Sequence, residues 1–185
     1  MKIQINNLSK KYGDKVIFEN YTNTFDFDGI ILIKGASGLG KTTLMRIIAG
    51  LEKADKGEML KSTESISFMF QEDRLIPFVS VLKNLTAVCS EEKALYYLKL
   101  MELESEKNNS PLSLSGGMRR RVALARALCF QCDLVILDEP FKGLDEELKS
   151  NICEIIKEES KNRDFIIISH DSQDAELLNA KIIEL

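Results

Sequence analysis

The sequence lacks any long hydrophobic run. Apolar stretches such as Ile30–Ile33 and Leu134–Leu137 are only four residues long, whereas a helix that crosses a bilayer needs about 20 apolar residues. The first residues, MKIQINN, do not contain the apolar core of a signal peptide. Because both features are missing, we expect neither a membrane-spanning helix nor secretion, and we predict a cytosolic chain.

The sequence also lacks an excess of positive charge and a second CxxC pair, and histidine is scarce. The net charge is −4, which argues against a nucleic-acid-binding domain, because such domains are usually basic. The one notable basic run, Arg119–Arg121, is interpreted as a solvated helix face. Cys129 and Cys132 have CxxC spacing, but the chain has no second such pair and only one histidine. Ordinary packing is therefore favoured over a metal or redox site.

The apolar pattern of the 185 residues predicts a single α/β domain with a substantial core. Strands are expected at Lys2–Leu8, Ile17–Phe25, Gly29–Lys34, Gly57–Lys61, Ser65–Phe70, Leu134–Leu137, Phe165–Ser169 and Lys181–Leu185. Helical patterns cover Lys41–Ala49, Val79–Met101, Ser115–Cys129 and Leu144–Ile156, and Asn108–Pro111 is typical of a loop. We expect residues 1–71 and 113–185 to form the α/β core, and residues 72–112 to form a helical subdomain.

The segment GASGLGKT, Gly35–Thr42, fits the phosphate-binding pattern G-x-x-x-x-G-K-[ST]. It lies between a predicted buried strand and a predicted helix, which is the context that this loop requires. Its glycines allow successive backbone N–H groups to face phosphate oxygens, next to the positive end of the helix. Lys41 supplies a charge to the β- and γ-phosphates, and the Thr42 hydroxyl can bind Mg²⁺. A chance glycine-rich turn is the disfavoured alternative.

Two carboxylates end the predicted strand in LVILDEP, Leu134–Pro140. Asp138 is suited to holding Mg²⁺, and Glu139 can accept a proton from an attacking water as a general base. Carboxylates at the end of a strand can also simply cap the following loop. The apolar strand and the upstream phosphate loop favour the catalytic interpretation.

A second phosphate-binding device lies in LSGGM, Leu114–Met118. Ser115 can cap a helix, and Gly116 and Gly117 allow an anion to approach the backbone. Taken alone, this is an ordinary capped helix start. One ATP needs one phosphate cradle, so a chain with two is most simply half of a shared site.

Together these motifs resemble the ATP-binding cassette (ABC) ATPases, and the resemblance covers nearly the whole chain. The family's order is kept by Tyr12, Gly35–Thr42, Gln71, Leu114–Met118, Asp138-Glu139, Gly143–Asp145 and His170. Alone, Tyr12, Gln71 and His170 are weak signals, because such residues more often pack in the core or lie on the surface. The resemblance implies a P-loop NTPase fold, with a mostly parallel sheet, a small N-terminal antiparallel part and a helical insert.

The resemblance also implies roles for these residues. Tyr12 would stack on adenine, Glu139 would activate the attacking water, and His170 would contact the γ-phosphate, with Lys41 completing the catalytic set. The cofactors would be ATP and Mg²⁺, and the metal ligands would be Thr42, Gln71 and Asp138. The other contacts to ATP would come from Gly35, Ala36, Ser37, Gly38, Leu39, Gly40, Lys41, Thr42 and Thr43.

A second copy of the chain would complete the site. Ser115, Gly116 and Gly117 would cover the ATP bound by the partner copy, and Asp145 would lie at the dimer seam. Met118 stands where the family most often has glutamine. The segment Gly57–Gln71 is short, and nothing follows Lys181–Leu185. These departures indicate either a minimal cassette or a truncated chain.

Within the family, the segment from Phe70 to Leu85 is similar to subunits of nitrate, sulfonate and taurine importers. In such systems a membrane protein docks beside this segment, so its candidate contacts are Ile76, Pro77, Phe78 and Val79. Alternatively, these side chains fill the small core of the helical insert.

The resemblance favours the ATPase of a transporter, and an importer over an exporter. Its partners would be a second copy, an integral membrane permease and a solute-binding protein, with no nucleic acid. The chain would lie on the inner face of the cell membrane through the permease. A soluble ABC ATPase of DNA repair or translation would usually carry coiled-coil inserts, zinc motifs or tandem cassettes. A module that binds ATP without turnover would not need both Glu139 and His170, and a small-molecule phosphotransferase would not explain LSGGM.

Overall fold

The computed structural model describes residues 1–171 and 173–185. The strands are β1 (Lys2–Tyr12), β2 (Lys15–Asp26), β3 (Ile30–Lys34), β4 (Lys56–Lys61), β5 (Ile66–Met69), β6 (Leu134–Asp138), β7 (Asp164–Ile168) and β8 (Lys181–Glu184). The helices are α1 (Lys41–Ile48), α2 (Val81–Thr86), α3 (Glu91–Leu100), α4 (Gly116–Cys129), α5 (Glu146–Glu159) and α6 (Gln173–Leu178). Short 3₁₀ turns cover Glu104–Glu106 and Pro111–Ser113.

Two sheets form the β structure. The larger has the order β5-β6-β7-β3-β8, and every neighbouring pair in it is parallel. The smaller has the order β2-β1-β4 and is antiparallel. This confirms the predicted α/β fold with a mainly parallel sheet and a small antiparallel part. Because the large sheet is parallel, the carboxyl ends of β3, β5, β6 and β7 meet at one edge.

The side chains of the central strands alternate between two cores, as the period of a β-strand requires. In β6, Val135 and Leu137 face the core shared with α4 and α5. Leu134 and Ile136 face the core shared with α1 and β1. This burial on both faces explains why β6 is an uninterrupted apolar run.

The strands of the N-terminal hairpin are longer than predicted. Pairing between β1 and β2 continues to Tyr12↔Lys15, with three register shifts along the way. The apolar alternation stops before these shifts, because a bulge changes which face each side chain takes. Tyr12 is thereby carried to the end of a hairpin.

The segment between β5 and α4 is helical, but its pattern at Val79–Met101 divides into α2 and α3. Each helix begins at a serine N-cap, Ser80 and Ser90, whose hydroxyls accept from the N–H groups of Lys83 and Lys93 at 3.2 and 3.3 Å. The apolar pattern continues across the boundary between the two helices, because Leu85 of α2 and Leu98 of α3 pack in the same core. Helix α6 also has no counterpart among the predicted elements.

The prediction of a solvated face for Arg119–Arg121 is wrong. Arg120 is only 5% exposed, and its neighbours donate to the carbonyls of Leu114 and Met101 at 2.6 and 2.7 Å. Helix α4 is covered on nearly all sides, so three successive side chains all meet protein. No helix of the described residues is long and apolar enough to cross a membrane.

Candidate functional site

The phosphate loop follows β3 and leads into α1. Gly38 and Gly40 have φ values of 86° and 89°, a left-handed conformation that glycine adopts without steric cost. A Cβ on Gly40 would also lie 2.5 Å from Cγ2 of Ile17. A side chain is therefore excluded at Gly40, directly before the first residue of α1.

Lys41 opens α1 with its side chain folded back over the loop. Its Nζ donates to the carbonyl oxygens of Gly35 and Ala36 at 2.7 and 2.9 Å, and the residue is 6% exposed. Within residues 1–171 and 173–185 it makes no ion pair. A nearly buried ammonium held only by neutral carbonyls can accept an anion such as a phosphate.

Thr42 and Asp138 join the loop to the end of β6. The Thr42 hydroxyl donates to Oδ2 of Asp138 at 2.7 Å. Burial raises the pKa of Asp138 above the ordinary value, and the hydrogen bond from Thr42 opposes that shift. Together with the amide of Gln71, they supply a hydroxyl, a carboxylate and an amide oxygen. Oxygen ligands of this kind fit Mg²⁺, which also keeps water and phosphate ligands.

Glu139 is held in an uncommon backbone conformation, with a φ of 51°. Its carboxylate accepts from the amide of Gln71 at 3.3 Å, and Nε2 of His170 lies 3.1 Å from it. Lys142 approaches to 3.7 Å. A carboxylate aligned by an amide and an imidazole can serve as a general base.

One cleft of about 360 Å³ collects most of the predicted site. It is lined by Tyr12, Ser37, Gly38, Gly40, Lys41, Thr42, Thr43, Gln71, Asp138, Glu139 and His170, together with Lys15, Ile17 and Ile168. A second cleft of about 590 Å³ shares Ser37, Gln71, Glu139 and His170, and extends along α5. Gly35, Ala36 and Leu39 belong to the same loop but do not line either cleft.

Tyr12 is the last residue of β1, at the turn of the N-terminal hairpin, and it lines the first cleft. Its hydroxyl donates to the carboxylate of Glu52, and 45% of the side chain surface is exposed. Glu52 also pairs with Lys10 at 2.9 Å. The ring is thus tethered but open on one side, as a stacking platform must be.

The start of α4 lies outside both clefts. Ser115 caps α4 by accepting from the N–H of Met118 at 3.2 Å, and Ser115 and Gly116 are exposed. A Cβ on Gly117 would lie 3.3 Å from the carbonyl oxygen of Gly143. Asp145 caps α5 by accepting from the N–H of Leu148 at 2.9 Å. Ser115, Gly116 and Asp145 thus lie on the surface of the chain.

Sequence reasoning missed Arg120, which contacts the backbone on both sides of the site. The two cysteines of the CxxC segment are buried and free, and burial raises the pKa of both thiols. No group of three or more histidine, cysteine, aspartate or glutamate side chains suited to a metal occurs in the described part of the chain.

The geometry defines a nucleotide-binding site of the P-loop class. The family model for the ABC transporter matches residues 18–142. The chain therefore belongs to the ABC transporter family, and it is the ATP-binding, ATP-hydrolysing part of such a system.

Curated relatives support the assignment. An aliphatic sulfonates import ATP-binding protein of Bacillus cereus is 33% identical over 99% of this chain and 80% of its own length. A protein of the same description from Rhodococcus jostii is 36% identical over 96% of this chain and 76% of its own length. Each of these is a protein to which the chain is similar.

Solved structures agree in fold. The dimeric structure of MJ0796, a bacterial ABC transporter cassette, superimposes with a TM-score of 0.88 at 29% identity, over 99% of this chain and 94% of that one. A post-hydrolysis state of MJ0796 bound to ADP and phosphate gives a TM-score of 0.89 at 28% identity, with the same coverage.

Proposed function

We propose that the protein is the ATP-hydrolysing subunit of an importer and works as a dimer that holds ATP between two copies. The observation that carries this proposal is the position of Ser115–Gly117. Ser115 and Gly116 are exposed, and the helix start lies outside the clefts that contain the phosphate loop. Because α4 offers its positive end to solvent, it is free to bind the phosphates held by a second chain.

Within one site, the roles follow from position. Tyr12 stacks on adenine, while Lys41 and the backbone amides of Gly38, Gly40 and Thr42 bind the phosphates. Glu139 takes the proton of the attacking water, held in orientation by Gln71 and His170. His170 also contacts the γ-phosphate.

Mg²⁺ fits the cluster of Thr42, Asp138 and Gln71, and when bound it supplies positive charge next to the transferred phosphoryl group. The residues themselves do the rest of the positioning. Thr42 holds the Asp138 carboxylate in place by its 2.7 Å hydrogen bond, which keeps it directed toward the phosphate loop.

The dimer would be closed by contacts at the surface of each chain. Ser115, Gly116 and Gly117 cover the partner's nucleotide, and Asp145 lies at the seam beside them. Support comes from the packing of Gly117 next to Gly143, where a Cβ on Gly117 would lie only 3.3 Å from the Gly143 carbonyl oxygen. The start of α4 and the Gly143–Asp145 segment are therefore adjacent. The solved MJ0796 cassette with a similar fold is dimeric.

Residues 72–112 form the helical subdomain in this proposal and provide the contact to a membrane permease. Phe78 is 90% exposed and Ile76 is 46% exposed. The alternative in which these two side chains fill a core is therefore wrong, and docking is favoured. Pro77 lies between them, Val79 follows Phe78, and both complete the contact.

The import direction rests on the relatives, which are named as import ATP-binding proteins for sulfonates, for spermidine and putrescine, and for Fe³⁺. Because these cargoes differ, we propose the importer class without a particular cargo. The chain would lie on the cytoplasmic face of the membrane, held by the permease, with a solute-binding protein on the other side.

Complementation tests the shared site directly. Lys41→Ala should break the phosphate loop, and Ser115→Phe should block the helix start, so each variant alone should be inactive. A one-to-one mixture should recover about a quarter of the wild-type ATPase rate, because half of the dimers are mixed and contain one intact site. Full activity of Ser115→Phe alone, or an inactive mixture, would contradict the shared site.

A further inference from the structure

Arg120 is a buried arginine near the start of α4, with 5% of its surface exposed. A buried guanidinium is costly unless its donors are paired. Its partners therefore indicate what the residue does.

The Arg120 guanidinium joins the ends of two strands of the large sheet. One terminal nitrogen donates to the carbonyl oxygens of Phe70 and Gln71, at 2.9 and 2.8 Å, just beyond β5. The other donates to the carbonyls of Asp138 and Glu139, the latter at 2.6 Å, at the end of β6. A rigid planar fork of this kind fixes the spacing between the two strand ends.

One acidic side chain completes the cluster. Asp73 lies 3.3 Å from the first terminal nitrogen of Arg120, and its side chain is 25% exposed. The ion pair offsets the buried charge, whereas the four carbonyl contacts determine where the guanidinium lies. Three of these carbonyls belong to the proposed metal ligands Gln71 and Asp138 and to the proposed general base, Glu139.

These contacts matter most for Glu139. A residue other than glycine in the left-handed region costs about 1–3 kcal/mol and persists only where its surroundings hold it. The N–H of Glu139 donates to Ile168 at 3.0 Å, and its carbonyl accepts from Arg120. The same carbonyl also accepts from the N–H of Lys142, but at the longer distance of 3.4 Å. Without Arg120 this longer contact is the one that holds the carbonyl side, and the carboxylate loses its fixed direction toward Gln71 and His170.

Arg120 is also tied to the helix start that faces the partner. Gly116 and Gly117 precede it by four and three residues, and residues at these spacings lie on the same side of a helix one turn apart. A shift of α4 at Ser115–Gly117 therefore moves the guanidinium as well, because the intervening turn is hydrogen-bonded.

We propose that Arg120 is a positioning residue that couples the seating of Ser115–Gly117 on the partner's nucleotide to the alignment of Glu139. This inference rests on the proposed two-copy site. When the dimer closes, contact with the partner's nucleotide fixes the position of α4, and α4 fixes the position of the Arg120 guanidinium. The guanidinium then holds the backbone of Gln71 and Glu139 so that both side chains are aligned for hydrolysis. Binding of ATP to the phosphate loop does not depend on it.

The test uses Arg120→Met, which removes the donors, and Arg120→Lys, which keeps the charge but not the fork. Arg126→Met is the matched control. Arg126 lies on the same helix and donates to the carbonyls of Arg74 and Asp73, at 3.0 and 3.1 Å. It thus contacts the chain after β5, as Arg120 does, but not the end of β6.

The measurements are kcat and KM for ATP on folded protein, together with ATP-induced dimerisation in a Glu139→Gln background. Arg120→Met should lower kcat about 10²-fold and leave KM within about threefold. The kcat of Arg120→Lys should lie between those of Arg120→Met and the wild type. The Arg120→Met, Glu139→Gln double variant should still dimerise with ATP, and Arg126→Met should keep its kcat within about threefold. If Arg120→Met does not fold, Arg120→Lys is compared with Arg126→Met.

Unchanged kcat in Arg120→Met, an equal loss in Arg126→Met, or a change in KM alone would overturn the coupling role. If Arg120→Met does not fold, unchanged kcat in Arg120→Lys would overturn it as well. Failure of the proposed function would look different, since the wild type would not hydrolyse ATP or Glu139→Gln would not dimerise. The two failures are therefore separable within one set of proteins.

Discussion

The hydroxyl of Thr42 donates a 2.7 Å hydrogen bond to Oδ2 of Asp138, although the two residues are 96 positions apart in the chain. The contact exists because β3 and β6, which are separated by β7, end at the same edge of the parallel sheet. It joins the first turn of α1 to the last residue of β6, and it thereby assembles oxygen ligands from two distant motifs.

Thr42→Ala should damage both the metal site and the fold. The Asp138 carboxylate is buried, so the loss of its donor should lower the free energy of unfolding by about 1–3 kcal/mol, measured in EDTA without nucleotide. The Mg²⁺ concentration needed for ATPase activity should rise. Thr42→Ser keeps the hydroxyl and should restore both properties. Equal stability and equal Mg²⁺ requirement in Thr42→Ala would contradict the assignment.

Lys41→Ala should abolish nucleotide binding, because the ammonium over the loop is the main positive side chain at the phosphates. The check is a titration with a fluorescent ATP analogue. Lys142→Ala serves as the control for binding, since Lys142 is a 70% exposed side chain near Glu139 and outside the phosphate loop. An affinity that Lys41→Ala leaves unchanged would sink the phosphate-loop assignment.

Lys149→Met should destabilise the protein strongly. Lys149 lies 2.7 Å from Asp171 and 2.6 Å from Asp174, and Asp174 is 1% exposed. Removal of the cation leaves a buried carboxylate unpaired, at a cost of about 3–5 kcal/mol in urea unfolding. Lys157→Met, which breaks the surface pair with Glu154, should cost about 1 kcal/mol or less. Similar losses in the two variants would contradict this account.

The same cluster predicts a pH dependence. Burial lowers the pKa of Lys149, but the hydrogen bonds and charges of Asp171 and Asp174 outweigh this, and the net pKa is raised. The hydrogen bond from Lys149 lowers the pKa of Asp171. The stability that Asp171 contributes is therefore present above the ordinary carboxyl pKa and is lost as the pH falls through the lowered one. The stability gap between wild type and Lys149→Met should narrow on acidification below about pH 4; a constant gap would be the contrary result.

Phe78→Ser should separate membrane association from catalysis. The ring is 90% exposed, so unfolding free energy should change by about 0.5 kcal/mol or less, and the ATPase rate of the isolated chain should stay the same. The fraction of the protein that sediments with membranes from its own cells should fall. Leu60→Ser, at a 59% exposed position on β4, should sediment as wild type does. Equal sedimentation of both variants would argue against docking at Phe78.

Local motifs made the site largely predictable from the sequence. The glycines of Gly35–Thr42, the carboxylates after Leu134–Leu137 and the cap at Ser115 each need particular residue types at fixed spacing. The structure brings Gly38, Gly40 and the two carboxylates into one cleft. The buried strands were predictable because a strand covered on both faces, such as β6, is an uninterrupted apolar run.

Other features depend on long-range packing that leaves no local pattern. Arg120 lies in a run of three arginines, which the sequence alone does not distinguish from a solvated face. Its burial follows from its contacts with Gln71 and Glu139, which are distant in the sequence. A hint was available, since α4 is apolar around most of its circumference from Val122 to Cys129, as expected for a helix covered on all sides. The break between α2 and α3 is set by Ser90, whose capping role depends on the turn that precedes it.

The size of the Glu139→Gln variant tests the central claim most directly. This change replaces the carboxylate of the general base by a carboxamide of similar size, so ATP should bind without being hydrolysed and should hold two copies together. Light scattering with ATP and Mg²⁺ should give twice the 20.9 kDa mass of one chain, and removal of ATP should return the single mass. A variant that binds ATP but stays at the single mass would contradict a site shared between two chains.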